Sequence, residues 1–74
     1  MALEAVIDRD GTYRVILEEY PEGVYVLVYD SADSHWPCQD HLQDDWRIAK
    51  LAAFEDYGIT DGMWKNVPDT HFNG

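Results

Sequence analysis

The residues best suited to chemistry in this 74-residue chain lie in one short segment, DSHWPCQDHLQDDW, at positions 33–46. His35, Cys38 and His41 are spaced three residues apart, and imidazole and thiolate groups are the ligands that zinc prefers. Structural zinc sites use four ligands, and His71 would be the fourth. The spacing differs from the usual pair of short knuckles, so we treat a metal site as the alternative interpretation of this segment.

Cys38 is also a candidate nucleophile, because it lies a few residues before a predicted helix whose N-terminal dipole favours a thiolate. The surrounding aspartates disfavour a thiolate, and 74 residues leave little room for an enclosed catalytic pocket. We therefore predict a protein without catalytic activity and without a cofactor. The segment would then serve as a loop that leads into the helix.

The composition indicates a folded and strongly acidic protein. Fifteen acidic residues against five basic ones give a net charge of −10, and the 46% share of hydrophobic residues is too high for a disordered chain. This charge repels phosphate backbones and anionic lipids, so we predict no direct binding to nucleic acid or to membranes. A protein with a basic surface is the expected partner.

Two further features favour a cytoplasmic location. A single cysteine excludes an internal disulfide and suits a reducing compartment. The opening residues, MALEAVIDRD, contain acids and lack the apolar run of a signal peptide, and no stretch is apolar enough to span a bilayer.

Three segments rich in β-branched and aromatic residues are predicted to form an antiparallel meander: 2–8, 12–20 and 24–30. Each intervening turn closes on a glycine, which is typical of a three-residue hairpin loop with a glycine bulge. Loops of this kind pair Asp8 with Thr12 and Tyr20 with Val24, and this register decides which side chains share a face.

The predicted register sorts the side chains onto two faces. One face is almost entirely apolar and is expected to lie under the helix: Leu3, Ala5, Ile7, Tyr13, Val15, Leu17, Tyr25, Leu27 and Tyr29. The other face carries aliphatic residues that the helix leaves open: Val6, Ile16, Val24, Val26 and Val28, beside Tyr20. A patch of this size is expected to be covered by Met63–Val67, by a second copy of the chain or by another protein.

A helix is predicted from about Leu42 to Tyr57, ending at Gly58, where a left-handed conformation is typical of a helix C-terminus. Either Asp40 or Asp44 would cap its N-terminus. One stripe at helical spacing is expected to face the sheet: Leu42, Trp46, Ala49, Ala53 and Tyr57.

Apolar residues of the helix also fall outside that stripe, namely Ile48, Leu51 and Phe54, and they leave more exposed apolar surface than a monomer needs. After the helix, residues 63–67 are predicted to form a fourth strand or a segment along the sheet edge. Residues 69–74 are predicted to fray.

Several parts of the chain together resemble a group of small uncharacterised bacterial proteins: VYVLVYDS, then IAKLAAFEDYGI, then Trp64 and VPD. The similarity covers most of residues 12–69, and its most specific part runs from Ala49 to Ile59. It implies a bacterial cytoplasmic protein with a β-meander and a helix, and it implies no active site.

The sequence therefore predicts a single α+β domain, with a three-stranded antiparallel β-meander packed on one α-helix and a short C-terminal strand or turn. Its function would be protein–protein contact, for example as an inhibitor or an immunity-type protein that blocks a basic groove. The predicted contact residues are of two kinds: a charged patch of Trp36, Asp40, Asp44 and Asp45, and a self-association patch of Val6, Ile16, Val26 and Val28. The alternative is a small metal-binding protein that uses His35, Cys38 and His41.

Overall fold

A five-stranded antiparallel sheet forms the centre of the computed structural model, which describes residues 1–70. The elements are, in chain order, β1 (Ala2–Arg9), β2 (Thr12–Tyr20), β3 (Gly23–Tyr29), β4 (Gln39–Gln43), α1 (Trp46–Tyr57), a 3₁₀ turn (Asp61–Met63) and β5 (Lys65–Val67). Across the sheet the strands follow the order β4-β3-β2-β1-β5, and α1 packs on one face. The predicted α+β class is confirmed, and the sheet has two more strands than the predicted meander.

The first hairpin has the predicted register over most of its length, with Ala5 opposite Val15. Its loop is shorter than predicted: only Asp10 and Gly11 lie between the paired residues, with φ angles of 53° and 81°. Positive φ at both positions is what a type I′ turn requires. A bulge at Asp8, where φ is 46°, takes up the extra residue, so the faces of β1 and β2 are as predicted.

The predicted register of the second hairpin is wrong by one residue. Tyr20 pairs with Gly23 instead of Val24, because the loop contains only Pro21 and Glu22. A slip of one residue turns every side chain of a strand to the opposite face. The side chains that turn towards α1 are therefore Val24, Val26 and Val28, while Tyr25, Leu27 and Tyr29 face away from it.

Side-chain chemistry explains this register. The valines of β3 pack against Ala49 and Ala53 of α1, where small side chains let the helix approach closely. In the predicted register two tyrosine hydroxyls would have been buried in this apolar layer, where each would need a hydrogen-bond partner. On the other face the Tyr25 hydroxyl donates to a Glu22 carboxylate oxygen.

Gly23 is required by the close approach of β4. It has a φ of 148°, and a Cβ at this position would collide with the Gln43 carbonyl oxygen and come within 3.2 Å of Leu42 Cδ1. The glycine therefore lets β4 lie beside β3 at the end of the hairpin, and it does not form the bulge that the sequence predicted.

The main core lies between the sheet and α1. Its buried members are Leu3, Ala5, Val15, Leu17, Val24, Val26, Val28, Ala49, Ala53 and Ile59. Trp46 and Tyr57 pack at its border, so the predicted helical stripe is confirmed except for Leu42, which lies in β4.

The opposite face of the sheet has a smaller core of Ala2, Ile16, Leu27 and Tyr29. Val67 packs against this core from β5, which pairs with β1 at Ala2, so the predicted C-terminal strand is present. Beyond β5, Thr70 donates two hydrogen bonds to Glu18, from its backbone N at 2.8 Å and from Oγ1 at 2.6 Å.

The chain therefore remains in contact with the sheet beyond residue 68, where the sequence predicts the ordered core to end. Asp69 forms an ion pair with the Met1 amino group at 2.8 Å, and Thr70 holds Glu18. These two residues begin the segment predicted to fray, and the rest of that segment, residues 71–74, lies outside the described part of the chain.

The helix begins later than predicted because residues 39–43 form a strand. Asp45 is the N-cap, and its Oδ1 accepts a hydrogen bond of 2.9 Å from Ile48 N. Asp40 lies in β4 and Asp44 precedes the cap, so neither predicted cap is the one used. The C-terminal prediction is confirmed, since Gly58 has a φ of 71° and its N–H reaches carbonyls of the last turn.

Candidate interaction surface

The loop from Asp30 to Cys38 is held in place by its own short hydrogen bonds. Ser34 Oγ donates to Asp30 Oδ1 at 2.8 Å and lies 2.8 Å from Ser31 Oγ. At its far end Cys38 N donates to the Val28 carbonyl at 2.7 Å, which ties the loop to β3. These bonds direct the chain back along β3, so that it continues as β4.

An acidic surface lies along this edge of the sheet. Trp36 is 76% exposed in the middle of the loop. Asp33 and Asp44 are exposed on either side of it in sequence, and Asp40 is exposed on β4. The four predicted charged-patch residues thus belong to one segment, although Asp45 uses a carboxylate oxygen to cap α1. We call Trp36 and these exposed aspartates, together with β4, the acidic edge.

The carboxylates of the acidic edge carry uncompensated charge. Within residues 1–70 there are two ion pairs, Met1 with Asp69 and Arg14 with Glu4, and neither involves this segment. Strand β4 is also the outermost strand on its side, and edge strands present unpaired backbone N–H and C=O groups. The acidic edge can therefore offer both charge and backbone hydrogen bonds to another molecule.

The predicted aliphatic patch does not form. Val26 and Val28 are 2% and 1% exposed because they lie under α1, and Ile16 is 4% exposed in the smaller core. Val6 is 51% exposed, but the other three residues of the predicted patch are buried. For Val26 and Val28 the cause is the incorrect register of the second hairpin. Ile16 lies on its predicted face, where Leu27, Tyr29 and Val67 cover it.

The geometry does not favour the alternative metal site. Within residues 1–70, no three histidine, cysteine, aspartate or glutamate side chains come together in a way that could hold a metal ion. Cys38 is exposed, and His41 Nε2 lies 3.3 Å from Gln39 Oε1 on β4. His71, the predicted fourth ligand, is outside the described residues.

A second surface that the sequence indicated only in part lies on the outer side of α1. Leu51 and Phe54 are 50% and 54% exposed, as expected from their position outside the helical stripe. They line an open groove of about 670 Å³ together with Trp46 and the chain at Ile59–Asp61. Its remaining lining residues, Arg47 and Lys50, are two of the five basic residues of the chain.

One buried carboxylate lies outside both surfaces. Glu18 is 2% exposed, and its oxygens accept hydrogen bonds from Thr70 and from the Tyr20 hydroxyl at 2.6 Å. Burial, followed by this bond to Glu18, raises the pKa of Tyr20 well above its ordinary value of 10.0. Burial likewise raises the pKa values of Tyr29 and Tyr57. These groups hold the C-terminal cover and the helix border in place, which is a structural task.

Comparisons with protein-family models, with curated proteins and with solved structures found no match for this chain. Within residues 1–70, no helix is both long and apolar enough to cross a bilayer. The two surfaces and the charge of the chain are therefore the features that bear on its function.

Proposed function

We propose that this protein works through protein–protein contact, without catalysis, and that it binds a basic protein surface with its acidic edge. The observation that carries the proposal is Trp36, which is 76% exposed in a segment whose carboxylates have no ion-pair partner within residues 1–70. Tryptophan is among the residue types that dominate binding energy at interfaces.

The charge distribution supports a basic partner. A chain of net charge −10 attracts a basic surface over several ångströms, which accelerates encounter and makes association sensitive to salt. An inhibitor that covers a basic groove of another protein is one specific form of this function. The exposed single cysteine suits a reducing compartment such as the cytoplasm.

The open edge of β4 supports a specific mode of contact. An extended segment of the partner can add to an edge strand through backbone hydrogen bonds, while side chains beside the strand provide specificity. Asp40 and Leu42 project on one face of β4, as their pairing with Leu27 and Tyr25 requires. Leu42 is 46% exposed and would add apolar contact beside the acid.

The test is affinity capture from the native host, followed by binding measurements with the purified partner. We expect Trp36→Ala to weaken binding by about 30-fold or more, which is the effect of losing about 2 kcal/mol at an interface. The double variant Asp40→Asn/Asp44→Asn should slow association and reduce its dependence on salt.

The matched control is Asp56→Asn, which removes one exposed carboxylate from α1, away from the acidic edge. It should leave the affinity unchanged. A partner that binds the wild type, Trp36→Ala and the double aspartate variant equally well would contradict the proposal.

A further inference from the structure

The outer face of α1 exposes large apolar side chains that the fold does not use. Leu51 and Phe54 are each at least half exposed, although other apolar residues of the helix are buried against the sheet. The groove beside them has an apolar wall at Ile59, which is 1% exposed and belongs to the core. A groove lined by exposed apolar side chains, with a buried core residue as one wall, is a surface on which another helix can pack.

Charged residues are arranged along this face in a self-complementary way. Arg47, Leu51 and Glu55 follow one another at intervals of four residues, so they form one row along α1. Arg47 and Glu55 are separated by about 12 Å along the helix, which is too far for an ion pair within one chain. Neither residue has an ion-pair partner within residues 1–70.

We propose that a second copy of this chain docks on this face, with the two α1 helices antiparallel and Leu51 at the two-fold axis. In that arrangement the residue four positions before Leu51 meets the residue four positions after it. Arg47 then lies opposite the partner's Glu55, and the same pair occurs again on the other side of the axis. Leu51 and Phe54 are buried between the helices, and the antiparallel helix dipoles oppose each other favourably.

The order of the charged residues along this face favours a second copy as the occupant, although the net charge of the chain opposes self-association. Two copies of net charge −10 repel each other over most of their surfaces, so they can approach only where basic residues occur. The groove is such a place, because Arg47 and Lys50 both line it. A foreign helix would need an acid opposite Arg47, an apolar residue opposite Leu51 and a base opposite Glu55. An antiparallel second copy has these residues at these positions by symmetry.

This inference does not depend on the proposed function. The dimer would use the outer face of α1 and leave the acidic edge of each copy available. The apolar contact is small, so we expect a weak dimer with a dissociation constant in the micromolar range.

Charge reversal tests the pairing directly, with analytical ultracentrifugation of the full chain as the measurement. Arg47→Glu and Glu55→Arg should each weaken dimerisation by about tenfold or more, since each places like charges opposite one another twice. An equimolar mixture of the two variants should form a heterodimer about as stable as the wild-type dimer, because opposite charges then meet at both contacts.

Glu55→Arg also separates the proposal from simple repulsion between acidic chains. This substitution brings the net charge two units closer to zero, so net charge alone would strengthen the dimer, whereas the proposed pairing weakens it. Glu19→Arg changes the net charge equally at an exposed position on β2 and should not weaken the dimer. Circular dichroism of each variant verifies that the fold is retained.

Three results would overturn the proposal. A wild-type chain that stays monomeric up to about millimolar concentration excludes the dimer. A dimer that survives both charge reversals and Leu51→Asp must use another surface, such as the β4 edge. Failure of the mixed variants to associate, while the wild type does, excludes the antiparallel pairing.

Discussion

Gly23→Ala is the substitution that most directly tests how β3, β4 and the acidic edge are held together. The added methyl group would collide with the backbone carbonyl of Gln43 and come within 3.2 Å of the Leu42 side chain. A backbone oxygen cannot rotate away as the end of a side chain can. Strand β4 must therefore move, or Gly23 must leave its φ of 148°.

The expected cost follows from these two effects. A non-glycine residue in a conformation that glycine alone adopts readily costs about 1–3 kcal/mol. The Gln43 oxygen must also retreat by about 1 Å to reach ordinary van der Waals distance, which weakens one or two ladder hydrogen bonds worth about 0.5–1.5 kcal/mol each. The sum is a loss of about 1.5–6 kcal/mol, a large part of the stability of a domain of this size.

Gly11→Ala is the matched control. Gly11 also has a positive φ, of 81°, but a Cβ there meets nothing within 4 Å. The control should lose only about 1–2 kcal/mol, the cost of a left-handed conformation.

Urea denaturation followed by tryptophan fluorescence gives the free energy of unfolding for both variants. Native-state hydrogen exchange shows whether the amides of residues 39–43 lose protection first. A Gly23 variant no less stable than the Gly11 variant would refute the close approach of β4. The register predicted from the sequence, in which Tyr20 pairs with Val24 and Gly23 forms a bulge, would then be the better description.

Two further predictions concern the helix cap and the tyrosines. Asp45→Ala should lower the free energy of unfolding by about 0.5–2 kcal/mol because it removes the acceptor for Ile48 N, whereas Asp44→Ala should change it little; equal losses in urea denaturation would contradict Asp45 as the cap. Because the folded-state pKa of Tyr20 lies above its unfolded value of 10.0, its contribution to stability is complete below about pH 10 and is lost as the pH rises towards the folded-state pKa. Thermal denaturation from pH 8 to 11 should therefore show a steeper decline above about pH 10, and Tyr20→Phe should reduce that steeper part; a Tyr20→Phe variant that declines as steeply as the wild type above pH 10 would contradict this origin.

The two hairpins show what the sequence can and cannot predict. In β1 and β2, polar residues such as Glu4 and Arg14 alternate with apolar ones, so the face that packs on the helix is clear from the pattern. In β3, the segment VYVLVY is apolar or aromatic at every position, so a period of two cannot distinguish its faces. The register there depends on the length of the turn and on the approach of β4.

Strand β4 was missed because its sequence, QDHLQ, has no β-branched or aromatic residue and is exposed at nearly every position. It is a strand because the preceding loop directs it along β3, which is a tertiary effect. The exposure of Trp36 and Asp40 follows from their polar surroundings and could be predicted. The groove beside α1 could not, because its Ile59 wall is placed by the chain after Gly58.

The strand order β4-β3-β2-β1-β5 also has a consequence for how the sheet assembles. The first four strands are neighbours in sequence as well as in space, so each pairing closes only a short loop. The pairing of β5 with β1 joins Ala2 to Val67 and must close almost the whole chain for three residues of strand. Strand β5 should therefore be the last strand to join the sheet on folding and the first to leave it in the native state. When it leaves, Thr70 releases Glu18, and Ile16 loses the part of its cover that Val67 provides.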